Sequence, residues 1–456
     1  MRVKIKYFIF LIFLLSTSLW AREFKIAIVG AGMSGLTAGH YLKKRGFEHV
    51  TIFEKEEEIG GKVLSKKLDG SLYELGAVWV FKEYATILEM VRELGVPLKR
   101  FPARKTILDD GNRLLFLDYG LTKYNFFEIL EGLIRAKEVL AKYSNLKNPG
   151  FTEVSPELFD SFEDFVQKNN LDSIKYITEP FLVGTGYGYS GDVPAMYILK
   201  PTIMIFDSLV EDFIDEYFGI PSEAFQFFPG GFQSFLKVLA QDLEVKTGEA
   251  VLKIVRENGE VKIQTSKGNY TFDRVFISTP PDATLKFLDA TEDEKFFLSQ
   301  MQFNYYQITA FKGKRLPKHE VMFLAKSTDE NNRGVPAVIA NWGKSNNVWV
   351  SLTPYDFKGG PISPEVLRAK MEEEVNSLGG EVDEILFDRG LTYFFHFSSD
   401  FLNQNSPYEK LESMQGTLGT YYIGGHFNFE SVEHTAQYAK EVASYRFGFP
   451  KNMDKK

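Results

Sequence analysis

The sequence predicts an α/β fold, with a parallel β-sheet that begins near the N-terminus and a second domain that mixes helices and strands. Two observations predict this fold. An apolar run over residues 26–29 breaks into closely spaced glycines, and helical and strand-like spacings alternate through the rest of the chain. With 456 residues, 44% of them hydrophobic, the chain can form one large or two medium domains with substantial cores.

The first strand and helix are joined by a glycine turn. Residues 26–35 read IAIVGAGMSG, which places Gly30, Gly32 and Gly35 at the spacing G-x-G-x-x-G. Gly30 permits the tight turn, Gly32 lets the backbone approach a diphosphate, and Gly35 lets the helix pack closely on the strand. The diphosphate then lies at the N-terminus of a helix that begins with Met33 and Ser34. The pattern is that of a Rossmann-type dinucleotide-binding domain.

An acidic residue follows the second strand. The first helix ends by Gly46, and residues 50–53 read as the next parallel strand. Glu54 therefore lies at the carboxyl end of that strand, with Lys55 directly after it. A carboxylate at this point accepts hydrogen bonds from ribose hydroxyls and repels a 2′-phosphate. FAD or NAD is therefore favoured over NADP.

Composition narrows the range of partners. A formal net charge of -8 and a pI near 5.5 argue against nucleic acid. The chain has no cysteine, and its six histidines show no metal-ligand spacing, so we expect no disulfide, no cysteinyl cofactor bond and no metal site. The 42 phenylalanines and 22 tyrosines indicate either a wide apolar cavity for a large apolar ligand or a compositional preference alone.

The N-terminus has the three-part layout of an export signal. Arg2, Lys4 and Lys6 precede an apolar run over residues 7–15, and residues 16–21 end in Ala21. We expect residues 1–21 to be a signal peptide that directs the protein to the periplasm or out of the cell. An uncleaved anchor is the alternative, because the apolar run is short for a membrane span and Leu19 lies where a signal peptidase prefers a small residue. Whether the protein contacts a membrane surface stays an open question.

Two further motifs identify the dinucleotide. After Glu54 come Gly60, Gly61 and Lys62, and the segment from Glu74 continues with Gly76, Ala77 and Val78. With the first glycine turn, these motifs resemble the flavin-containing amine oxidase and phytoene desaturase superfamily. The resemblance implies non-covalently bound FAD. Lys62 stands where that superfamily usually has arginine. The positive charge is kept, but lysine lacks the planar guanidinium group that can donate two parallel hydrogen bonds to one partner.

Later segments extend the resemblance along the chain. In the superfamily, the backbone at the position of Val251 contacts adenine, and a strand ending in residues such as Thr279 and Pro280 lies along the cofactor. The turn at Gly424 and Gly425 leads to a helix predicted over residues 432–446, with Glu433 near its start. The resemblance implies that this helix directs its N-terminus at the flavin. His426 replaces an acid that is common after the glycine turn.

The superfamily topology implies a discontinuous domain organisation. Residues 22–82, 227–290 and 412–449 would form the Rossmann-type, glutathione-reductase-like FAD-binding domain. Residues 83–226 and 291–411 would form a mixed α+β substrate domain. Helical spacing over residues 126–139 and strand spacing over residues 305–311 and 348–352 predict a helical cap together with a sheet.

A narrower resemblance indicates the chemistry. Residues 184–189 (GTGYGY), 192–200, 396–399, 408–416 and 438–440 look like the corresponding segments of flavin-dependent polyenoic fatty acid isomerases. Members of that subgroup shift a double bond by passing a hydride to the flavin and returning it to another carbon. The resemblance implies an apolar, carboxylated substrate held among aromatic side chains. We expect the aromatic side chains to be Tyr187, Tyr189, Trp79 and Phe395, and the carboxylate to meet Arg104 or, failing that, Lys105.

Two other functions stay open at this point. The first is an amine or amino acid oxidase that produces hydrogen peroxide. Flavin amine oxidases commonly carry a lysine in a strand near the flavin, and Gln307 aligns there, although Lys312 and Lys314 lie close enough in sequence to leave the register open. The second is a non-catalytic protein that binds FAD or lipid.

Overall fold

The computed structural model describes residues 24–342 and 347–447. The predicted signal peptide at residues 1–21 lies outside the described residues, and export stays a prediction. Within the described part of the chain, no helix has the length and apolar character needed to cross a membrane.

The described residues form twenty strands. In chain order they are β1 (Lys25–Val29), β2 (His49–Phe53), β3 (Ser65–Leu68), β4 (Ser71–Glu74), β5 (Val80–Phe81), β6 (Lys99–Arg100), β7 (Arg104–Asp109), β8 (Asn112–Leu114), β9 (Phe225–Phe227), β10 (Glu244–Lys246), β11 (Val251–Glu257), β12 (Glu260–Thr265), β13 (Asn269–Phe272), β14 (Arg274–Ile277), β15 (Gln302–Lys314), β16 (Glu320–Leu324), β17 (Val338–Asn341), β18 (Val348–Asp356), β19 (Glu381–His396) and β20 (Thr420–Tyr422).

The described residues also form fourteen α-helices. In chain order they are α1 (Met33–Lys44), α2 (Ala85–Leu94), α3 (Phe116–Leu121), α4 (Phe126–Lys142), α5 (Phe162–Asn169), α6 (Asp172–Gly184), α7 (Ala195–Tyr217), α8 (Phe232–Leu239), α9 (Pro281–Phe287), α10 (Glu292–Ser299), α11 (Pro364–Ser377), α12 (Ser399–Asn405), α13 (Pro407–Ser413) and α14 (Val432–Glu441). A π-helical turn over Val442–Arg446 continues α14, so the helix predicted over 432–446 changes its winding near its end.

The parallel sheet predicted from the first glycine turn is present. Its strand order is β10-β2-β1-β14-β20, and all neighbours are parallel. Residues 26–29 of β1 are almost fully buried, as expected for a strand covered on both faces. The strands come from three separate stretches of the chain, and α1 and α14 pack against each other beside the sheet. The α/β fold class is confirmed.

A second, seven-stranded sheet lies in the region predicted to form the substrate domain. Its order is β19-β15-β18-β17-β16-β7-β8, and only the β7–β16 pair is parallel among these described strands. The alternating segments at residues 305–311 and 348–352 lie in β15 and β18, as predicted. Helix α11 packs on the outer strand β19. The smaller sheets are β11-β12-β13, β3-β4 and β5-β9-β6.

Five helices, α3 to α7, form the cap. Helix α4 covers the predicted residues 126–139 and begins with a capping box. The Asn125 side chain accepts a hydrogen bond from the Glu128 N–H, and the Glu128 side chain accepts one from the Asn125 N–H. Helices α4 and α5 each pack against α6 and α7. The observed second domain is therefore mixed α+β, with helices on one side and the long-stranded sheet on the other.

Candidate active site

The glycine turn after β1 is fixed by close backbone approach. Gly30 has a φ of +98°, and its N–H donates to the Phe53 carbonyl at 2.8 Å. A Cβ on Gly35 would lie 2.0 Å from the Gly30 carbonyl oxygen, so the strand and helix meet only because residue 35 has no side chain. On the other side, the Ser278 hydroxyl donates to the Gly30 carbonyl oxygen at 3.2 Å.

The N-terminus of α1 faces the second glycine motif. Gly32 is the N-cap residue, no side chain caps the helix, and its first turn carries no acid. The Gly60 N–H donates to the Ala31 carbonyl at 2.9 Å, and Gly32 and Gly60 form an isolated parallel bridge. The backbone N–H groups at Met33 and Ser34 therefore begin a helix whose positive end suits a diphosphate.

Glu54 lies beside this turn, at the end of β2. It is buried, and its two carboxylate oxygens accept from the N–H of Ala31 at 2.8 Å and of Glu56 at 3.0 Å. Each oxygen keeps a second lone pair for a ribose hydroxyl. The Glu249 N–H donates to the Glu54 carbonyl at 2.8 Å, which brings the segment that leads to Val251 against this edge.

Lys55 differs from its neighbours because its side chain is 73% exposed and pairs with Glu56 at 3.5 Å. Only its backbone lies with the residues predicted to bind the cofactor.

The segment from Glu74 to Val78 packs on the segment that follows Gly61. A Cβ on Gly76 would lie 2.0 Å from the Lys62 carbonyl oxygen, and the Leu75 N–H donates to the Leu64 carbonyl at 2.7 Å. The Glu74 carboxylate accepts from the Phe232 N–H at 2.7 Å, so it caps α8. Burial raises the pKa of Glu74 to about 7.

The later motifs close the other side of the same crevice. The Ser34 hydroxyl donates to the Ile423 carbonyl, one residue before Gly424. Thr279 and Pro280 follow β14 and lead into α9, and Gly425 follows β20. We call these converging segments the cofactor cradle. It comprises residues 30–35, 54–55, 60–62, 76–78, 278–280 and 423–425.

Lys62 forms the edge of the cradle that faces the substrate domain. It pairs with Glu430, and its Nζ lies 5.2 Å from the Tyr393 ring and 5.8 Å from the Phe395 ring. The predicted Phe395 is therefore placed at the cradle. His426 is buried nearby, and burial followed by the Lys62 charge lowers its pKa to about 3, so its imidazole is neutral at neutral pH.

Glu433 is placed near the start of α14 as predicted, but its carboxylate caps another helix. It accepts from the N–H groups of Thr86 at 2.8 Å and Ile87 at 2.9 Å, at the start of α2. Burial raises its pKa. The sequence gives no sign of this contact, because the two helices are more than three hundred residues apart.

An aromatic cluster surrounds Tyr187. Its ring centroid lies 4.6 Å from that of Phe429, 5.3 Å from Phe394 and 6.1 Å from Tyr393. Tyr306 completes the cluster, 5.3 Å from Tyr393. We call Tyr187, Tyr306, Tyr393, Phe394 and Phe429 the aromatic cluster.

Tyr306 was missed by sequence reasoning, although the alternation of β15 could have found it. Tyr306 and Ile308 face the cluster of Leu68 and Leu75, whereas Gln307 donates to Asp388 on the opposite face. The strand register therefore puts Tyr306, not Gln307, on the face toward the FAD-binding region. Lys312 pairs with Asp69 and Glu384, and Lys314 pairs with Asp383.

Tyr189 and Arg104 do not join this cluster. Tyr189 is buried with Val183 and Ala337, next to a small pocket at the seven-stranded sheet. Arg104 is exposed, because the alternation of β7 turns the following residue inward. Their proposed roles stay predictions.

Lys105 is the buried cation of β7. It pairs with Asp212 at 3.3 Å and Glu216 at 2.6 Å, and its Nζ lies 4.7 Å from the Phe225 ring. Burial raises the pKa of both carboxyls.

An apolar cavity lies inside the cap. We call it the cap cavity. Its volume is about 1040 Å³, including space open to solvent, and α4, α6 and α7 supply most of its lining. The charged residue among its described lining is Lys175, which pairs with Glu163 and Glu179. The Thr178 and Thr202 hydroxyls donate to carbonyls of their own helices. The cavity therefore offers an almost wholly apolar surface.

Trp79 connects the cap cavity with the cradle. Phe181 lines the cavity and stacks on Trp79 with ring centroids 5.9 Å apart. Trp79 follows the cradle segment directly after Val78. Its indole N–H is buried and has no hydrogen-bond partner among the described residues.

The cradle fits FAD on the evidence of its own residues. A Cβ at residue 35 would fill the glycine turn, so the turn depends on glycine there. The α1 N-terminus has no side-chain cap and can bind a diphosphate, and the Glu54 carboxylate keeps lone pairs for the ribose hydroxyls. By contrast, the described residues contain no group of three or more histidine, aspartate and glutamate side chains that could hold a metal ion.

Comparison with known proteins agrees with this geometry. A family model described as flavin containing amine oxidoreductase matches residues 33–296, more than half of the chain. Protoporphyrinogen oxidase from the mitochondria of Nicotiana tabacum is 30% identical over 168 residues, which are 35% of this chain and 32% of that protein. Coproporphyrinogen III oxidase from Staphylococcus aureus is 23% identical over 286 residues, which are 56% of this chain and 60% of that protein, so the chain spans less than two thirds of the length of either relative.

Two solved structures share the fold over nearly the whole chain. A fatty acid isomerase from P. acnes that produces CLA superposes with a TM-score of 0.85 at 24% identity, over 94% of this chain and 100% of that one. Putrescine oxidase bound to putrescine superposes with a TM-score of 0.67 at 14% identity, over 92% of this chain and 98% of that one.

Proposed function

The chain belongs to the family of flavin-containing amine oxidoreductases, and from this premise we propose that it moves a double bond within a polyunsaturated fatty acid, with FAD as its cofactor. The family match supports the cofactor, and the fold shared with a fatty acid isomerase is consistent with the substrate class. The choice between isomerase and oxidase depends on the residues of this chain.

The cap cavity is the observation that carries the proposal. Its lining is almost wholly apolar, and Phe181 of that lining stacks on Trp79. A cavity of this kind favours a long hydrocarbon chain over a chain with charges along its length, because Lys175, the charged residue of the described lining, is already paired with Glu163 and Glu179. A chain held there would extend past Trp79 toward the cradle.

The groups between cavity and cradle support hydride transfer rather than proton transfer. Bound FAD supplies a two-electron acceptor at the flavin that takes up a hydride and gives it back. His426 is a poor base because its pKa is about 3. The Glu430 carboxylate is paired with Lys62, and the Glu433 carboxylate accepts two backbone N–H groups. His434, whose ring lies 5.3 Å from that of Phe429, keeps an Nε2 without a hydrogen-bond partner among the described residues, but burial lowers its pKa well below 6.5. The groups named here are therefore weak general bases.

The aromatic cluster supplies what a hydride route needs. Burial raises the pKa of the Tyr187 and Tyr306 hydroxyls, so both rings are uncharged at neutral pH. Their faces can stabilise the allylic cation that remains when a hydride leaves a methylene group. Rigid packing of the cluster holds that carbon in place, which is the main source of acceleration in such a reaction.

Amine oxidation is the second candidate, because the family includes amine oxidases and the aromatic cluster could also face an ammonium group. One contact disfavours it. Lys62 Nζ already lies 5.2 Å from the Tyr393 ring centroid and pairs with Glu430, so the ring and the carboxylate that could attract a substrate ammonium group already have a cation. A non-catalytic FAD or lipid carrier is the third candidate.

The test uses the purified holoprotein with linoleic acid and, separately, with a panel of amines. Conjugated-diene absorbance and hydrogen peroxide are followed together. Diene without peroxide is the expected result with linoleic acid. Peroxide released with an amine would favour the oxidase, and neither signal with any substrate would favour a carrier.

A further inference from the structure

The exposed apolar side chains of this protein are concentrated at one end of the cap. Fourteen large hydrophobic side chains are exposed among the described residues, and nine of them fall within residues 121–134 and 214–220. Phe127 is 78% exposed and Phe218 is 70% exposed. We call this group the apolar rim: Leu121, Phe126, Phe127, Leu130, Ile134, Ile214, Tyr217, Phe218 and Ile220.

Two contacts bring both stretches of the rim together. Lys137 of α4 pairs with Asp207 of α7 at 3.1 Å, and Lys200 donates to the Leu146 carbonyl just beyond the end of α4. The two helices therefore run antiparallel. Phe127 and Tyr217 are each ten residues from the Lys137–Asp207 pair, so both lie about 15 Å from it, in the same direction along the helices.

The rim adjoins the cap cavity at Ile214 and along α4. Helix α4 turns Ile129 and Leu133 inward to the cavity and Leu130 and Ile134 outward to solvent, so it is apolar on two faces. Ile214 belongs to both surfaces, because it lines the cavity and is 46% exposed. The apolar surface is thus continuous from the exposed rim into the cavity.

The charges next to the rim show no excess of Lys and Arg: Lys123, Arg135 and Lys137 are outnumbered by Glu128, Glu131, Asp207, Glu211 and Asp215. Arg135 pairs with Glu131, and Lys137 pairs with Asp207, while the whole chain carries a formal net charge of -8. Anionic lipid recruits proteins through an excess of Lys and Arg, and this excess is missing here. The rim therefore suits an apolar phase with neutral head groups.

We propose that the apolar rim docks on a neutral lipid surface and admits the acyl chain from it into the cap cavity. The inference rests on the proposed function, because that function requires an apolar substrate that accumulates in lipid. A protein partner or a second copy seated on the rim would close the opening at Ile214, whereas a lipid surface supplies the substrate through it. Aromatic and aliphatic side chains inserted at the interface give such docking its affinity.

Vesicle flotation of the full-chain holoenzyme tests the docking. Wild type should float with phosphatidylcholine vesicles at least as well as with vesicles that contain phosphatidylglycerol. The double variant Phe127→Ser/Phe218→Ser should lose about 10-fold or more of this binding, because two aromatic side chains no longer enter the lipid. Both residues are exposed, and unchanged bound flavin would show that the variant is folded.

A matched control is Phe296→Ser/Tyr445→Ser, which removes two exposed aromatic side chains far from the rim in sequence and should float like wild type. Equal flotation of all three proteins would overturn the proposal and assign binding elsewhere, for example to the apolar run at residues 7–15. Absence of wild-type flotation would also overturn it. So would a wild-type dimer that the Phe127→Ser/Phe218→Ser variant converts to a monomer, since the occupant would then be a second copy.

Diene assays separate this proposal from the proposed function. With linoleic acid below its micellar concentration, the rim variant should react at the wild-type rate. With linoleic acid carried in phosphatidylcholine vesicles, its rate should fall in step with its flotation. Flotation that depends on the rim, without any diene, would support docking and reject the isomerase. Diene formation at the same rate in wild type and the rim variant in both assays would support the isomerase and reject docking.

Discussion

The cofactor cradle is formed mainly by backbone atoms, whereas the cap cavity is formed almost entirely by apolar side chains. In the cradle, the carbonyl oxygens of Gly30 and Lys62 lie where a Cβ on Gly35 or Gly76 would be. In the cap, helices supply interchangeable apolar residues around open space. We infer that the cradle tolerates almost no change at Gly35 and Gly76, while the cap tolerates change but adjusts which ligand it accepts.

The largest effect should follow a single methyl group in the cradle. In Gly35→Ala the new Cβ would lie 2.0 Å from a backbone oxygen, which cannot move as a side chain would. Overpacking costs about 1 to 3 kcal/mol even where neighbours yield, so we expect FAD affinity to fall by about 100-fold. The ratio of flavin to protein absorbance measures it.

Gly191→Ala is the matched control for that variant, because nothing lies within 4 Å of its added Cβ and its φ is not positive. Flavin content should stay at the wild-type level. If Gly35→Ala also keeps its flavin, the cradle is more tolerant than its backbone contacts imply.

The next largest effect concerns the carboxylate of the cradle. Glu54→Gln removes a charge that accepts two backbone N–H groups and directs an N–H₂ at one of them. A hydrogen bond to a charged group is worth about 1.5 to 3 kcal/mol, so FAD should bind about 10- to 100-fold more weakly in titrations of the apoprotein. Glu56→Gln keeps the Glu56 backbone donor and should bind FAD normally. Equal weakening of both variants would contradict a specific role for Glu54.

A change in the cap should affect substrate and leave the cofactor in place. Ala136 is buried, lines the cap cavity and lies on α4, so Ala136→Phe would occupy part of the space for an acyl chain. We expect KM for linoleic acid to rise about 10-fold, with kcat and flavin content little changed. Ala141→Phe, on an exposed position of the same helix, serves as the control. A loss of flavin in Ala136→Phe would show that the two regions are coupled.

The smallest expected effect is a change in the pH dependence of stability, and it concerns His426, which is buried near Lys62 at the edge of the cradle. His426 has a pKa lowered from 6.5 to about 3, so below pH 6.5 the unfolded chain takes up a proton that the native state does not. The free energy of unfolding therefore falls as pH falls, by up to about 1.4 kcal/mol per pH unit from this group.

In His426→Gln, the difference between the melting temperatures at pH 7.5 and pH 5.5 should shrink by about 1 to 2 degrees. An unchanged difference would mean that the imidazole is not held neutral in the fold.

The same contrast explains what the sequence revealed. Glycine spacing and an acid after the second strand predicted the cradle, because backbone approach requires glycine at fixed positions. The positions of Arg104 and Tyr306 depended on a one-residue strand register, which decides the face of the sheet but leaves little trace in the sequence. The cap cavity and the contact of Glu433 with α2 arise from tertiary packing alone, so the abundance of phenylalanine only hinted at the cavity.

The most direct test of the central claim uses linoleic acid deuterated at the methylene group between its two double bonds. A hydride that leaves this carbon and returns to another within the same site predicts a conjugated product that retains its full deuterium content, with one label moved. Loss of one deuterium per turnover to water or peroxide would contradict isomerisation by hydride return. Mass spectrometry of the product distinguishes the two results.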